Sequence, residues 1–363
     1  MSFFPKIGNR GIALIVTLTI ITVLVTVSLE LNRQVRSSVS DSAAYRDRLN
    51  LRHMVRSGVN LAEAVLVRDK KDTEFDSVQE DWANQERMRE YIAELPFAEG
   101  DLTVRITDEL SKIQVNALVD FPDGRQFNQE QQKMWHRFID LMLDRMEEAE
   151  DFSFKGPVEA SGIINPVKDW LDSGDDNAIT GLSGAENPYY DGLAEPYSCR
   201  NGPVRHLREL LRIKGITDEL FYSTATESGG LSRYITVHGM EKAEGGFSYP
   251  GKININTAEV PVLAGLLPEG REFLAPEIAA YRGEKEGGEY IHDLTGSTWY
   301  QEVPGCSDLE IAPELITTRS DIFRIHCRAE RNGRQMAAEV VVERRREEEG
   351  GKRNCRVLRW QYQ

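Results

Sequence analysis

The feature that most constrains this chain is an uncharged run near its start. Residues 10–33 read RGIALIVTLTIITVLVTVSLELNR, and 11–29 carry no charge. As a helix, that run is ~28 Å long, close to the roughly 30 Å of a bilayer's hydrocarbon core. Lys6 and Arg10 precede it, which keeps the N-terminus in the cytoplasm and exports the remainder of the chain. An ordinary secretory signal ends in a small-residue cleavage site after the apolar run. Here ELNRQVR comes next, at 30–36, and the small residue suited to processing is Gly11, ahead of the run. Cleavage between Gly11 and Ile12 would leave the apolar helix on the mature protein. The plain alternative is an uncleaved anchor.

The apolar pattern continues beyond the membrane segment. Leu49, Leu51, Met54, Val55, Gly58, Leu61, Ala62, Val65 and Leu66 recur at helical spacings. This predicts one helix from about residue 12 to about 70, half in lipid and half amphipathic, whose second half must pack against something. DLTVRITD at 101–108 alternates as a strand. QEQQKMWHRFIDLMLDRMEEAE, from 129, places Met134, Trp135, Phe138, Leu141, Met142 and Met146 on one helical face. GPVRHLRELLRIKGI, from 202, predicts another helix, with Pro203 near its start. KIQVN at 112–116 and KININ at 252–256 share Lys-Ile-x-x-Asn, at Lys112, Ile113, Asn116 and Lys252, Ile253, Asn256. They are taken as the matched edges of a helical insertion. Near the end, DIFRIHCRAE, the hairpin dipeptide Asn332-Gly333 and QMAAEVVVERR predict an antiparallel hairpin with Arg331 opposite Arg334 and Cys327 opposite Ala338. In NCRVLRWQYQ, Leu358, Trp360 and Tyr362 alternate as a last strand. The fold class expected is α+β: a long N-terminal helix on an antiparallel sheet, with a large inserted all-α domain.

The net charge of −15 argues against binding nucleic acid through its phosphates, which requires a basic surface, but it suits hard cations. Cys199, Cys306, Cys327 and Cys355 form no C-x-x-C pair. In an exported chain they are candidates for disulfides, with three full pairings open. Between 169 and 191 there are six acids and no base: Asp169, Asp172, Asp175, Asp176, Glu186 and Asp191. The run repels itself unless it is solvated or neutralised. It lacks the ligand spacing of an EF-hand, and its two readings are a solvated turn or a calcium loop. No Gly-x-Ser-x-Gly string or metal-catalysis histidine motif occurs, so no catalytic residue is assigned. The stretch 252–294 is similar to helix-hairpin-helix DNA-binding domains. Its turn, LPEGRE at 267–272, carries two acids in place of the Gly-hydrophobe-Gly signal, which would repel phosphate.

The short basic leader, glycine and retained apolar helix resemble the prepilin class of signals, in which most members carry a glutamate as fifth mature residue. Here that position is Val16. Further motifs are SGVNLAEAVLVRD, DSVQEDWA, DWLDSGDDN, GAENPYY, CRNGPVRHLREL, GKININTA and RSDIFRI. In their order and spacing the chain resembles the minor pseudopilin K family of type II secretion, also called general secretion pathway protein K. The resemblance implies a leader at 1–11, a transmembrane assembly helix at 12–32 and a pilin-like part at 33–120. It further implies an inserted helical domain at 121–246 and a second pilin-like part at 247–363. It implies a non-enzymatic tip subunit of the pseudopilus, processed by prepilin peptidase and held in the inner membrane with its bulk in the periplasm. Its partners would be minor pseudopilins I and J and the shaft. Val16 fits a first subunit, which has no subunit ahead of it to pair with. Calcium is implied in the acidic stretch, with Asp172, Asp176 and Glu186 as the expected ligands; Gly174 stands where the family more often has an acid. A minor pilin of a type IV pilus is the alternative reading.

Overall fold

The computed structural model describes residues 9–96, 100–148, 159–174, 178–223, 229–345 and 354–363. Lys6 lies outside them, as does Asp176 of the expected calcium set. Helix α1 is continuous over Asn9–Asp72. Residues 11–42 are exposed, and burial begins in earnest at Asp47. From there one face carries Leu51, Met54, Val55, Val59, Ala62, Val65 and Leu66, all buried. Leu49, expected on that face, is 38% exposed; it sits at the rim where the helix leaves the body.

This face packs on a four-stranded antiparallel sheet. In chain order its strands are β1 (Asp101–Asp108), β2 (Ile322–Arg331), β3 (Arg334–Arg344) and β4 (Cys355–Tyr362), side by side in that order. Alternation aims Val104, Ile106, Phe323, Ile325, Cys327, Ala329, Val340 and Val342 at the helix, and each fully buried aliphatic side chain is worth about 1.5–3 kcal/mol. Contact is closest at Gly58, where an added Cβ would meet Cys327 Sγ at 2.7 Å and Val104 at 2.9 Å; any larger residue would lift the helix off the sheet. Asn332 and Gly333 both take positive φ in the β2–β3 turn, so Arg331 pairs with Arg334 and Cys327 with Ala338. Helix α2 (Gln85–Ala93), capped by the Asn84 side chain, covers the β1 side of the sheet and buries Met88.

A β-bulge between Val341 and Val342 shifts the β4 register. Cys355 and Trp360, not the set Leu358, Trp360 and Tyr362, therefore pack against the core. All four cysteines are free thiols, so the expected disulfides do not form. Cys327 and Cys355 stand on β2 and β4, separated by β3 and hence by roughly 9–10 Å, beyond the reach of a disulfide.

A second core spans Ile113 to Ile316 in sequence. The two cores therefore part near 106–113 and 316–322, outside the expected edges of 121 and 246. The reason lies in the repeated motif. Ile113–Gln114 pairs in parallel with Ile235–Thr236, and Ile253–Asn254 pairs in parallel with Ile316–Thr317. Each Lys-Ile-x-x-Asn opens a helical unit that a short Ile-Thr strand closes. The two asparagines do equivalent work. Asn116 donates to Val204 O (3.0 Å) and accepts from Val204 N (2.7 Å). Asn256 donates to Leu294 O (3.0 Å) and accepts from Trp299 Nε1 (2.7 Å). The motif thus marks two consecutive units.

Helix α3 (Gln129–Glu147) buries Met134, Trp135, Phe138, Met142 and Met146 as expected. It crosses α6 (Val260–Leu266) at Gly265, whose carbonyl accepts from Arg137 Nε at 2.9 Å. With α7 (Ala275–Tyr281), α6 forms the two short helices of the hairpin-like stretch. Between them and α3 in sequence lie α4 (Ser161–Leu171) and the single turn α5 (Asn187–Asp191). The helix expected from 202 is only a 3-10 segment, Leu207–Arg212. Asn116 holds Val204 through both its backbone groups, which fixes the chain in an extended path ahead of the segment, and Gly215 ends it at φ +87°.

Candidate functional site

Three regions carry chemistry beyond packing. The first is the exposed half of α1. Gly11 and Ile12 lie in its first turns, with nothing within 4 Å of a Cβ placed on Gly11. Val16 is 49% exposed and faces no charged group within the uncharged run. The hydroxyls of Thr17, Thr19, Thr22 and Thr26 donate to carbonyls three or four residues back. These four hydroxyls are thus satisfied within the helix, as an apolar medium demands. This is one helix long and apolar enough to cross a membrane.

The second region gathers Asp169, Asp172 and Glu186, whose carboxylate oxygens lie within 4.8 Å of one another, all three residues being buried. Asp169 is in the last turn of α4, Asp172 caps that helix, and Glu186 precedes α5. Asp169 accepts from Thr180 N (3.1 Å), Thr180 Oγ1 and Ala185 N (2.8 Å). Burial raises its pKa and these bonds oppose the rise. Gly184 is required here, since a Cβ would collide with Asp169 Oδ2. Lys168, just outside the acidic run, places Nζ 2.6 Å from Asp172 and 3.9 Å from Asp169. Lys168 thus pairs with two of the three buried carboxylates. The all-oxygen donor set suits a hard cation such as Ca²⁺. Asp172 and Glu186, two of the expected ligands, are brought together. Asp169 joins them although it was not among the expected set; its i, i+3 spacing from Asp172 across a helix end was the available signal.

The third region was not anticipated. Asp69, Asp76 and Glu80 also bring carboxylate oxygens within 4.8 Å, beneath the end of α1. Here Arg344, at the end of β3 and 2% exposed, lies among them. Its Nη1 is 2.9 Å from Asp69 Oδ2, its Nη2 bonds Asp76, and it also donates to Ser320 O at 2.7 Å. Glu80 accepts from Thr73 Oγ1 (2.6 Å), Ser77 N (2.9 Å) and Trp82 Nε1 (2.9 Å). Burial, then Glu80, push Asp69 up to about 8 against the pull of Arg344. Alongside, Asp108 accepts from Asn254 Nδ2 (2.8 Å) and Thr257 Oγ1 (2.6 Å), and burial raises it to about 6. Glu109 binds Arg324 and Lys112. These buried polar groups join the sheet to the helical units where the chain passes between them.

Residues 111–225 match the family model described as Type II secretion system (T2SS), protein K. The chain is 27% identical over 213 residues to the type II secretion system protein K of Aeromonas hydrophila, a match covering 58% of this chain and 60% of that protein. It is 27% identical over 300 residues to the Pseudomonas aeruginosa protein of the same name, covering 79% of this chain and 76% of the relative. In fold it is similar to a chain in the crystal structure of the GspK-GspI-GspJ complex from the enterotoxigenic Escherichia coli Type 2 Secretion System. There the TM-score is 0.59 at 16% identity, covering 89% of this chain and 99% of the other. The chain is thus similar to type II secretion system protein K over much of its length, with 111–225 matching the family model and the long helix on an antiparallel sheet matching the fold of the solved relative.

Proposed function

We propose that this protein is a minor pseudopilin at the tip of the type II secretion pseudopilus, where it initiates assembly and supports export across the outer membrane. The observation that carries the reading is α1: one unbroken helix whose first half is exposed and apolar while its second half is buried against the sheet. Such a helix can rest in the inner membrane, with the body in the periplasm, and later pack among other helices. The partners are the minor pseudopilins I and J and the shaft, a reading supported by the assembly named for its structural relative. Prepilin peptidase cuts after Gly11 and frees the Ile12 amine. Val16 offers that amine no carboxylate, so the subunit needs no neighbour ahead of it. The role is structural, and catalysis is not part of it. Calcium occupies the Asp169, Asp172 and Glu186 cluster and holds the 172–186 loop in place.

N-terminal sequencing of the protein made with and without prepilin peptidase tests the processing. A start at Ile12 only when the peptidase is present is expected, and an intact N-terminus in both would return the segment to a plain anchor. Co-purification with I and J tests the tip placement, with loss of the complex on truncating 12–46 as the expected result.

A further inference from the structure

Where α1 meets the body, its far side carries charge of one sign. Arg46, Arg48, Arg52 and Arg56 are exposed there, and none makes an ion pair among the described residues. Between Asp41 and Glu63 the only acid is Asp47. It is buried, and held by Asn332 Nδ2 at 3.1 Å and Arg331 Nε at 3.7 Å. Arg48, Arg52 and Arg56 form a row at i, i+4 and i+8, and no position three or four residues from any of them holds an acid. On that flank lies β4, which has no acidic side chain; its Tyr362 ring is 5.7 Å from the Arg52 guanidinium. In line with Arg52 and Arg56 at helical spacing stand Tyr45 and Leu49, 65% and 38% exposed.

A solvated helix face ordinarily interleaves both signs, because opposite charges at i, i+4 support a helix and like charges there oppose it. Three arginines in succession therefore work against α1 and gain no partner within the chain. The helix dipole does not account for them, since it acts within the last turn and α1 runs on to Asp72. Lipid does not either. Arg48 stands ~24 Å along the helix beyond residue 32, the expected end of the membrane segment, which is about three screening lengths at physiological salt.

We propose that the outward face of α1 from Tyr45 to Arg56 docks an acidic helix of a neighbouring protein. Its carboxylates, at i, i+4 and i+8, would meet Arg48, Arg52 and Arg56, and apolar residues beside them would meet Tyr45 and Leu49. A helix laid along α1 repeats the ~6 Å steps of the arginine row, and a guanidinium takes a carboxylate in bidentate geometry. The single sign of the row selects the occupant, and arginine and tyrosine are residues that interfaces enrich. The inference needs only that α1 is clear of lipid and of the body along this face, so it stands or falls separately from the tip placement.

The test is fluorescence anisotropy with the full chain in neutral detergent and a labelled alanine-rich helical peptide carrying glutamate at every fourth position. Binding is expected at about 0.01 M salt and should weaken strongly at about 0.15 M, as the screening length shortens from roughly 30 Å to roughly 8 Å. Arg48→Glu with Arg56→Glu should weaken it about tenfold or more. The same pair turns the row into Glu-Arg-Glu at i, i+4 spacing, so the melting temperature should hold or rise. Arg205→Glu with Arg208→Glu, which changes the net charge equally at another exposed segment, should leave binding intact. Should the first pair lower the melting temperature, Arg48→Gln with Arg56→Gln serves in its place, with a smaller loss expected. No binding at low salt, equal binding of a peptide with lysine in place of glutamate, or equal weakening by the Arg205 and Arg208 pair would overturn the proposal. Tighter binding to phosphatidylglycerol vesicles than to the peptide, lost in the Arg48 and Arg56 pair, would overturn it in favour of a lipid surface.

Discussion

Among the described residues the molecule holds two acidic trios of the same size, and their countercharges come from different places. At Asp69, Asp76 and Glu80 a guanidinium from the far end of the sheet, Arg344, sits among the carboxylates. In the trio of Asp169, Asp172 and Glu186, Asp169 and Asp172 are paired by Lys168 of the same helix, α4. The first trio is closed on itself and joins α1 to β3. The second is formed by local segments, around the end of α4 and the start of α5. What distinguishes them is where the countercharge comes from: the far end of the sheet for one, the cluster's own helix for the other.

The largest effect expected from breaking this contrast is at Arg344. Arg344→Met leaves the buried Asp76 with only Lys70, 3.9 Å away, and removing one member of a buried pair costs about 3–5 kcal/mol. Urea denaturation should show that loss, and calcium should not restore it. A loss under about 1 kcal/mol would mean that the trio is better hydrated than its burial implies.

Calcium should act on the other trio. At a thousandfold excess over its Kd, the ion adds about 4 kcal/mol, read as a rise in melting temperature of the metal-stripped protein. Glu186→Ala should shrink the rise, and Asp69→Asn should leave it intact. If the stripped protein melts at the same temperature with and without calcium, the second trio is no metal centre.

The closed trio should also show in the pH dependence. Asp69 is raised to about 8 from an ordinary 3.8. The folded state therefore holds a proton that the unfolded state releases, and stability falls as pH rises from about 4 to about 8. Glu109 has the opposite sign. Burial pushes it up, but Lys112 and Arg324 hold it well below the ordinary carboxylate range, so its contribution is present above about pH 4.5 and is lost on acidification. Asp69→Asn should flatten the alkaline side of a stability-against-pH curve and spare the acid side. An unchanged alkaline slope would reassign it to Glu80 or Asp76.

The smallest effect is at Lys168. Lys168→Met removes the ion-pair partner of Asp172. With calcium bound, the stability change should be below about 1 kcal/mol, while the stabilisation gained on adding calcium should grow.

Much of the fold could be read from local pattern. The α1 face, the 101–108 strand, the Asn332-Gly333 hairpin and its register come from periods of 3.6 and 2 and from one turn dipeptide. What escaped depends on distant partners. The helix expected after Gly202 is displaced by Asn116, 88 residues away from Val204 in sequence. The Lys-Ile-x-x-Asn repeat was visible, but its role needed the closing Ile-Thr strands, too short to carry any periodic signal. Of the acidic cluster, Asp172 and Glu186 were expected from the resemblance, charge density alone leaving a solvated turn equally open. Asp169 was overlooked because helix burial hid it among core positions. The Arg344 cluster gave no sign, since its acids and its arginine are separated by 268 residues in the Arg344–Asp76 pair.

The continuity of α1 has a mechanical consequence. No break separates its apolar segment from the stretch fixed at Gly58 and Asp47, where Asn332 Nδ2 bonds Asp47 at 3.1 Å. The body is keyed to the helix like a bit to its shank: it turns with every rotation of the apolar segment, with no slack to absorb torque. Its azimuth is then set by residue count alone. Inserting a single alanine between Val39 and Asp47 would advance the body by only ~1.5 Å but swing it by ~100° about the axis, presenting a different side to whatever lies ahead.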